Sequence, residues 1–129
     1  PLLKVADALA GELVHAAAPT CLGARAASDA VEDDATGSLL AVRRLATMLE
    51  RLRLLLALQL VVAARAVELA AAESLGGGTA AVYAVVRGLV EPLTQDRPLG
   101  VDVERVAEEG LASGRLLAAV RLQAPGSAA

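Results

Sequence analysis

Tryptophan and phenylalanine are absent from this chain, and tyrosine occurs once, at Tyr83. Without large rings a core gains less from each buried side chain and must be assembled from many smaller ones. Cysteine is single as well: Cys21 excludes an internal disulfide, which suits a reducing compartment. With His15 the sole histidine, no His/Cys set with metal-ligand spacing can be drawn. The most apolar window, Leu54–Ala64, holds 11 residues, contains Gln59 and is bounded by Arg53 and Arg65. A membrane span needs about 20 apolar residues, so this window reads as a buried core helix. No basic segment leading into a long apolar run opens the chain, as one would in a signal peptide, and the expected location is the cytoplasm. Gly76-Gly77-Gly78 lacks the following Lys and Ser/Thr of a phosphate-binding loop. The net charge of −3 argues against nonspecific binding to nucleic acid. Neither an internal repeat nor strand-like alternation is present.

What is abundant is Ala, Leu and Val. Hydrophobic residues make up 56% of the 129, and the mean hydropathy is +0.56. A chain of this length normally makes one domain. Ala and Leu lead the helix scale, so the expected fold class is all-α, a bundle of long helices spanning 1–123. The tail 124–129 (A-P-G-S-A-A) is expected to be disordered. Much of the apolar surface is then meant for another chain.

The spacing of Leu2, Val5, Ala6, Leu9, Leu13 and Ala16 predicts a helix over 2–17, ended by Pro19. Residues 19–38 keep no apolar period. Residues 39–73 give the longest helical signal, with Ser38 as its expected N-cap and Gly76–Gly78 as its expected C-terminal break. This helix is apolar on nearly every face, and a helix apolar all round is buried all round; 129 residues supply few helices to surround it, which points to a multi-chain bundle. Glu50 with Arg53, and Arg65 with Glu68, are spaced to pair at i, i+3. Thr79 is placed to cap a short helix through Val90, and Pro92 and Pro98 bracket a turn. Asp102 is placed to cap a helix over Val103–Ala112, and Gly114 separates it from a last segment, Leu116–Leu122.

Few residues carry chemistry. His15 reads as a helix C-terminal residue, Cys21 as a small packing residue without a base beside it, and Tyr83 as core or interface. Asp29, Glu32, Asp33 and Asp34 fall within six positions. By composition alone they form a solvated turn, with Asp33 and Asp34 near the N-terminus of the long helix, where negative charge is favourable.

The order of these segments changes that weighting. Pro19, Ser28, Glu32, Asp33, Ala41, Arg43 or Arg44, and Leu45 fall without a gap on a pattern centred on Gln-Glu-Asp and followed by a long helix opening Ala-Ala-Arg-x-Leu. Downstream, Gly78, Thr79, Tyr83, Val86, Arg87, Val90, Pro92, Leu93, Asp96, Arg97, Leu99, Asp102 and Glu104 meet a second and more specific pattern. Together they resemble the C-terminal portion of the histidine ammonia-lyase family, the aromatic amino acid lyases, over nearly the whole chain.

The resemblance implies an all-helical homotetramer with long helices in a central bundle and active sites shared between subunits. It implies an electrophile, methylidene-imidazolone, formed from an internal Ala-Ser-Gly in the N-terminal part of the enzyme, not in this chain. The chain opens on Pro1, not Met, as a fragment would. Glu32 occupies the position of the glutamate near the substrate; relatives acting on phenylalanine or tyrosine carry Gln there, so Glu32 leans toward the histidine-type branch. A carboxylate there could hold the substrate's amino group or imidazole, or shuttle a proton. The chain departs from the pattern at Val31, where the family has Gln, at Asp34, where it has His, and at Gly23–Ala27 and Ala35–Ser38. These departures remove polar partners from around the carboxylate. The one Ala-Ser-Gly present, Ala112–Gly114, sits in the last helical stretch, where Gly114 reads as a helix stop.

Two readings result. In the first, the chain is the C-terminal segment or a small subunit of an ammonia-lyase-like enzyme, partnered by its N-terminal part, contributing Glu32 to a shared site and not catalytic alone. In the second, it is a non-catalytic helical oligomerisation protein derived from that fold; an aminomutase fragment is a further alternative.

Overall fold

A computed structural model describes residues 2–23 and 37–123. The four acids Asp29, Glu32, Asp33 and Asp34, and the tail 124–129, lie outside the described residues. Five α-helices and no strand make up the described chain: α1 (Leu2–Ala16), α2 (Ser38–Leu69), α3 (Gly77–Leu89), α4 (Gly100–Arg105) and α5 (Arg115–Arg121). A 3₁₀ turn covers Thr20–Gly23, and α4 runs on into a π-helical segment, Val106–Ala112. The all-α expectation therefore holds. The chain divides into two compact units, Pro1–Leu52 and Arg53–Ala129.

In the first unit, α1 places Leu2, Ala6, Leu9, Leu13 and Ala16 on one half-buried stripe, as their spacing predicts; Val5, expected on the same face, is exposed. No residue of α1 is fully buried. Arg51 and Glu12 form an ion pair, Nε to Oε2 at 2.6 Å, although the Arg51 Nε–H is not aligned as a hydrogen-bond donor. The helix frays through Ala17, whose N–H reaches the Leu13 carbonyl at 3.0 Å, and Ala18, whose N–H reaches that of His15 at 3.3 Å. Pro19, which has no N–H, then turns the chain away. At the start of α2, Ser38 is not the cap but the first helical residue. The Gly37 carbonyl accepts the first helical bond, from Ala41 at 2.9 Å, and Gly37 has φ +65°, a conformation glycine adopts without steric cost.

The second unit holds the core. From α2 it takes Ala57, Leu58, Val61 and Ala64, a single i, i+1, i+4, i+7 stripe. From α3 and the residue after it come Val86, Leu89 and Val90, from α4 and the π segment Val103, Val106 and Ala107, and from α5 Leu116. Gly110 is buried too: a Cβ there would lie 3.0 Å from Leu116 Cδ1. The expectation that α2 is buried on all sides is not met among the described residues. Leu56 is 41% exposed and Leu69 is 71% exposed, because the remaining elements supply enough side chains to cover one stripe only.

α2 also ends early, at Leu69 rather than near Glu73. The reason is a left-handed turn at Ala71, φ +47°. The Ala71 N–H bonds to the Glu68 carbonyl at 3.1 Å and the Ala72 N–H to that of Val67 at 3.5 Å, the reciprocal pair of a Schellman stop. The glycine run is therefore not the stop of α2 but the start of α3. Gly76 is the N-cap residue of α3, and its carbonyl accepts from Ala80 at 2.8 Å. Thr79 is accordingly inside α3 and not its cap.

Two ionic clusters tie the unit together. Glu68, on the last turn of α2, accepts from Arg65 Nη1 at 3.1 Å and from the Tyr83 hydroxyl at 3.4 Å. Its Oε1 also lies 2.9 Å from Arg87 Nε, an ion pair without hydrogen-bond alignment, and the Arg87 guanidinium lies 5.8 Å from the Tyr83 ring centroid. The expected Arg65–Glu68 pair is thus present as part of a four-residue group. Arg53 turns instead to Glu108, at 3.8 Å, rather than to Glu50. In the second cluster Asp102, buried and within the first turn of α4, pairs with Arg97; it makes no side-chain cap bond.

Arginines also satisfy carbonyls at and just beyond the C-terminal end of α3. Arg87 Nη1 donates to Val90 O and Glu91 O, both at 3.2 Å. Arg97 Nη2 donates to Glu91 O at 3.0 Å and Arg105 Nη1 to Leu89 O at 3.1 Å. Tyr83, Arg87, Arg97 and Asp102, all part of the downstream sequence pattern, are therefore scaffold residues.

Replacing Ala71 by Gly removes the penalty of a Cβ in the left-handed region and should raise stability by roughly 1 kcal/mol, read as a higher urea midpoint at unchanged slope; a lower midpoint would refute the left-handed stop. Asp102→Asn leaves Arg97 without its counter-charge. Because Arg97 is partly solvated, the expected loss is about 1–2 kcal/mol by the same measurement, and a change within error would show that the pair contributes nothing.

Candidate functional site

The residue that sequence marks for chemistry, Glu32, lies outside the described residues, as do Ser28 and Asp33. What the structure provides is the base from which that segment springs. On the N-terminal side stand Ala17, Ala18 and Pro19, released by the end of α1, and the Thr20–Gly23 turn. On the C-terminal side stand Gly37 and the first turns of α2.

These two sides are adjacent. The Arg44 Nη1 group donates to the Ala18 carbonyl at 2.9 Å, across 26 positions of sequence. That carbonyl lies just past the end of α1, close to where a cation is favoured by the helix dipole. Thr20 lies against Gly37: a Cβ built on Gly37 would sit 3.5 Å from the Thr20 Cβ. Beside these contacts runs a shallow groove of about 290 Å³, lined by Ala16, Ala17, Ala18, Thr20, Ala41, Arg44, Leu45 and Met48. Its walls are mostly methyl groups, with one guanidinium and one hydroxyl as polar features. The sequence leaves Arg43 and Arg44 as equivalent choices for the arginine of the pattern. The structure separates them: Arg44 is half-buried and bonded to Ala18, whereas Arg43 is exposed.

The remaining candidates do not converge on this place as a catalytic set. His15 is exposed in the last turn of α1, as expected. Cys21 is exposed among the described residues, so it is not the packing residue its type suggests; the 3₁₀ turn presents it outward. The Tyr83 hydroxyl is used by Glu68. Among the described residues no group of three or more His, Cys, Asp or Glu side chains could hold a metal ion.

Ala112-Ser113-Gly114 does not fit a cyclised electrophile. The Ser113 N–H bonds to Glu108 O at 3.1 Å and the Gly114 N–H to Leu111 O at 3.1 Å. The Ser113 hydroxyl donates to Glu109 O at 2.6 Å and accepts from the Arg115 N–H at 3.2 Å. Gly114, φ +77°, is the left-handed stop between the π segment and α5. The Ser113 hydroxyl and the Gly114 N–H, which ring closure would recruit, are both committed to ending a helix.

Gly37 and Arg44 are the two residues here that sequence did not single out as acting together. The signal was faint: a glycine after the acids, and one of two adjacent arginines.

No helix among the described residues is long and apolar enough to cross a membrane. No solved structure matches the chain significantly. Among curated proteins, histidine ammonia-lyase from Symbiobacterium thermophilum is 38% identical over 89 residues, which is 69% of this chain and 17% of that protein. The same enzyme from Sorangium cellulosum is also 38% identical over 89 residues, with the same shares. Histidine ammonia-lyase from Gloeobacter violaceus is 32% identical over 115 residues, 89% of this chain and 22% of that protein. The chain thus spans about a fifth of the length of the curated relatives it matches. The family model for aromatic amino acid lyase matches residues 3–88, which takes in α1, the Glu32 segment, α2 and nearly all of α3, and on that match the chain belongs to the aromatic amino acid lyase family.

Proposed function

We propose that the chain is the C-terminal segment, or a separate small subunit, of an ammonia-lyase-like enzyme that eliminates ammonia from histidine or another aromatic amino acid. In this reading Glu32 reaches a shared active site, where its carboxylate holds the substrate's amino group or imidazole or moves a proton. The helices, α2 foremost, join the core of a homo-oligomer, a tetramer by family resemblance. The chain is not catalytic alone; the methylidene-imidazolone electrophile belongs to the N-terminal part, and once formed there it would supply the electron sink for elimination.

The observation that carries this reading is the family match across the Glu32 segment combined with a first unit that has no buried residue in α1. Leu39, Leu45, Leu49 and Leu52 along α2 are 65%, 55%, 53% and 41% exposed. Four such leucines on one helix form an apolar surface that a chain working alone does not ordinarily leave open.

Combined with the complementary N-terminal portion of the enzyme, the chain should support ammonia release from histidine or a related amino acid. Glu32→Gln should lower turnover by roughly a hundredfold or more, in the range of a positioned acid–base group, with assembly unchanged by sedimentation. Unchanged turnover in that variant removes Glu32 from the mechanism. Leu56→Asp, a charge placed on a face the bundle would cover, should abolish association with the N-terminal portion, an unpaired buried charge costing several kcal/mol. If that variant associates as the parent does, the shared-bundle reading is wrong.

A further inference from the structure

We propose that the stripe Val42, Leu45, Leu49 and Leu52 of α2 is a two-fold seam: it docks antiparallel on the same stripe of a second copy of this chain, in the register that sets Leu45 opposite Leu49 of the second copy. The proposal deepens the homo-oligomer part of the reading above. It needs neither Glu32 nor the N-terminal portion, because every residue it uses lies on α2 within the first unit.

Spacing is the first argument. The four residues follow steps of three, four and three along the helix, and all four are exposed. Alternating steps of three and four keep a narrow seam in line, and they are the spacing by which the side chains of two helices interlock. The seam is not the surface that α1 uses. α1 meets α2 where Arg44 bonds to Ala18 O and Arg51 pairs with Glu12. At about 100° per residue, those arginines lie roughly a third of a turn away from the seam.

Charge selects the occupant and the register. Arg43 and Glu50 are exposed and stand one heptad apart, on the far side of the seam from α1. Neither side chain has an ion-pair or hydrogen-bond partner among the described residues; only the Arg43 carbonyl is engaged, by Thr47. With Leu45 opposite Leu49, Val42 also falls opposite Leu52, and each core position of one copy meets a core position of the other. In that register Arg43 of each copy comes beside Glu50 of the other, twice over by symmetry. Between them Ala46 presents only a methyl group to its own counterpart, which lets the long guanidinium side chain reach across. Sliding the pair by one heptad in either direction sets Arg43 against Arg43 or Glu50 against Glu50. Like charges so placed oppose docking, which discriminates against the shifted registers. The opposite charges that complete the seam are therefore those of the same helix running the other way.

The test uses the full chain carrying Cys21→Ser, so that introduced cysteines are the only thiols. Sedimentation equilibrium at micromolar concentration should show self-association, and Leu49→Asp should weaken it by roughly a hundredfold or more at unchanged helix content by circular dichroism. Leu45→Cys and Leu49→Cys chains, mixed and mildly oxidised, should form a disulfide with each other and far less with themselves, since only the mixed pair brings the two thiols into bonding range. Arg43→Glu and Glu50→Arg should each weaken association severalfold at low salt, and mixing these two variants should restore it, because the mixed pair regains opposite charges at both contacts. A chain that sediments as a monomer overturns the proposal while leaving association with the N-terminal portion standing. Self-linking of the Leu45→Cys variant marks a parallel pair and overturns it as well. Undiminished association of a helical Leu49→Asp variant places the contact on another face, which overturns the seam but not the homo-oligomer. If Leu49→Asp loses its helix content, the disulfide pattern decides.

Discussion

The carbonyls at and just beyond the C-terminal end of α3 are the constraint on which the second unit depends. A helix that stops leaves its last acceptors without partners, and here the chain runs on into an irregular stretch, Val90–Leu99, containing two prolines that cannot donate. Arginines from three places, Arg87, Arg97 and Arg105, reach those carbonyls. Each guanidinium also meets an acid: Glu68, Asp102 and, at 3.9 Å, Glu109. The same side chains thus end α3, hold the connecting stretch and fix the first turn of α4. A core with no Phe and no Trp contributes only aliphatic burial, so this polar frame sets the registration that larger rings would otherwise impose.

How far the chain was legible in sequence follows from what each signal depends on. The helices are legible because Ala, Leu and the i, i+3, i+4 spacing act locally: α1 falls within a residue of its predicted end, and its predicted stripe is half-buried except at Val5. Caps are less legible. Gly76–Gly78 reads as a C-terminal stop because glycine is the usual left-handed residue, yet Ala71 takes that conformation. The pairing of Glu68 with Tyr83 and Arg87 helps to set where α2 must end, and that pairing is tertiary. Asp102 reads as a cap for the same reason and is instead drawn to Arg97. Burial is the least legible property. An apolar face means a covered face, but sequence does not say whether the cover lies within this chain, and for most of α2 the described residues do not supply it.

The candidate site was legible in part and for a different reason. Glu32 is marked by resemblance to a family pattern, not by any physical signature, since four nearby acids read equally well as a solvated turn. The adjacency of Ala18 with Arg44, and of Thr20 with Gly37, has no local signal: it depends on α1 and α2 meeting within the first unit. The family match adds the chain's kinship, and the structure adds the footing on which the Glu32 segment would stand.

The π-helical segment Val106–Ala112 has a consequence for how this end of the protein can change. A π segment accommodates more residues per turn than the α-helix around it, so it acts as a stored insertion. Upstream of it Asp102 and Val103 face the core, and through it Val106, Ala107 and Gly110 do, with Leu116 of α5 closing over Gly110. Removing one residue from the exposed side, at Glu108 or Glu109, would let the turn relax to α-helical pitch. Each remaining residue would then turn further about the axis, which offsets the residue lost, so the faces before and after the segment would stay aligned. Composition on the inner side, not length, is therefore what this stretch must preserve: Val106, Ala107 and Gly110 hold the covered face, while an exposed position can be lost.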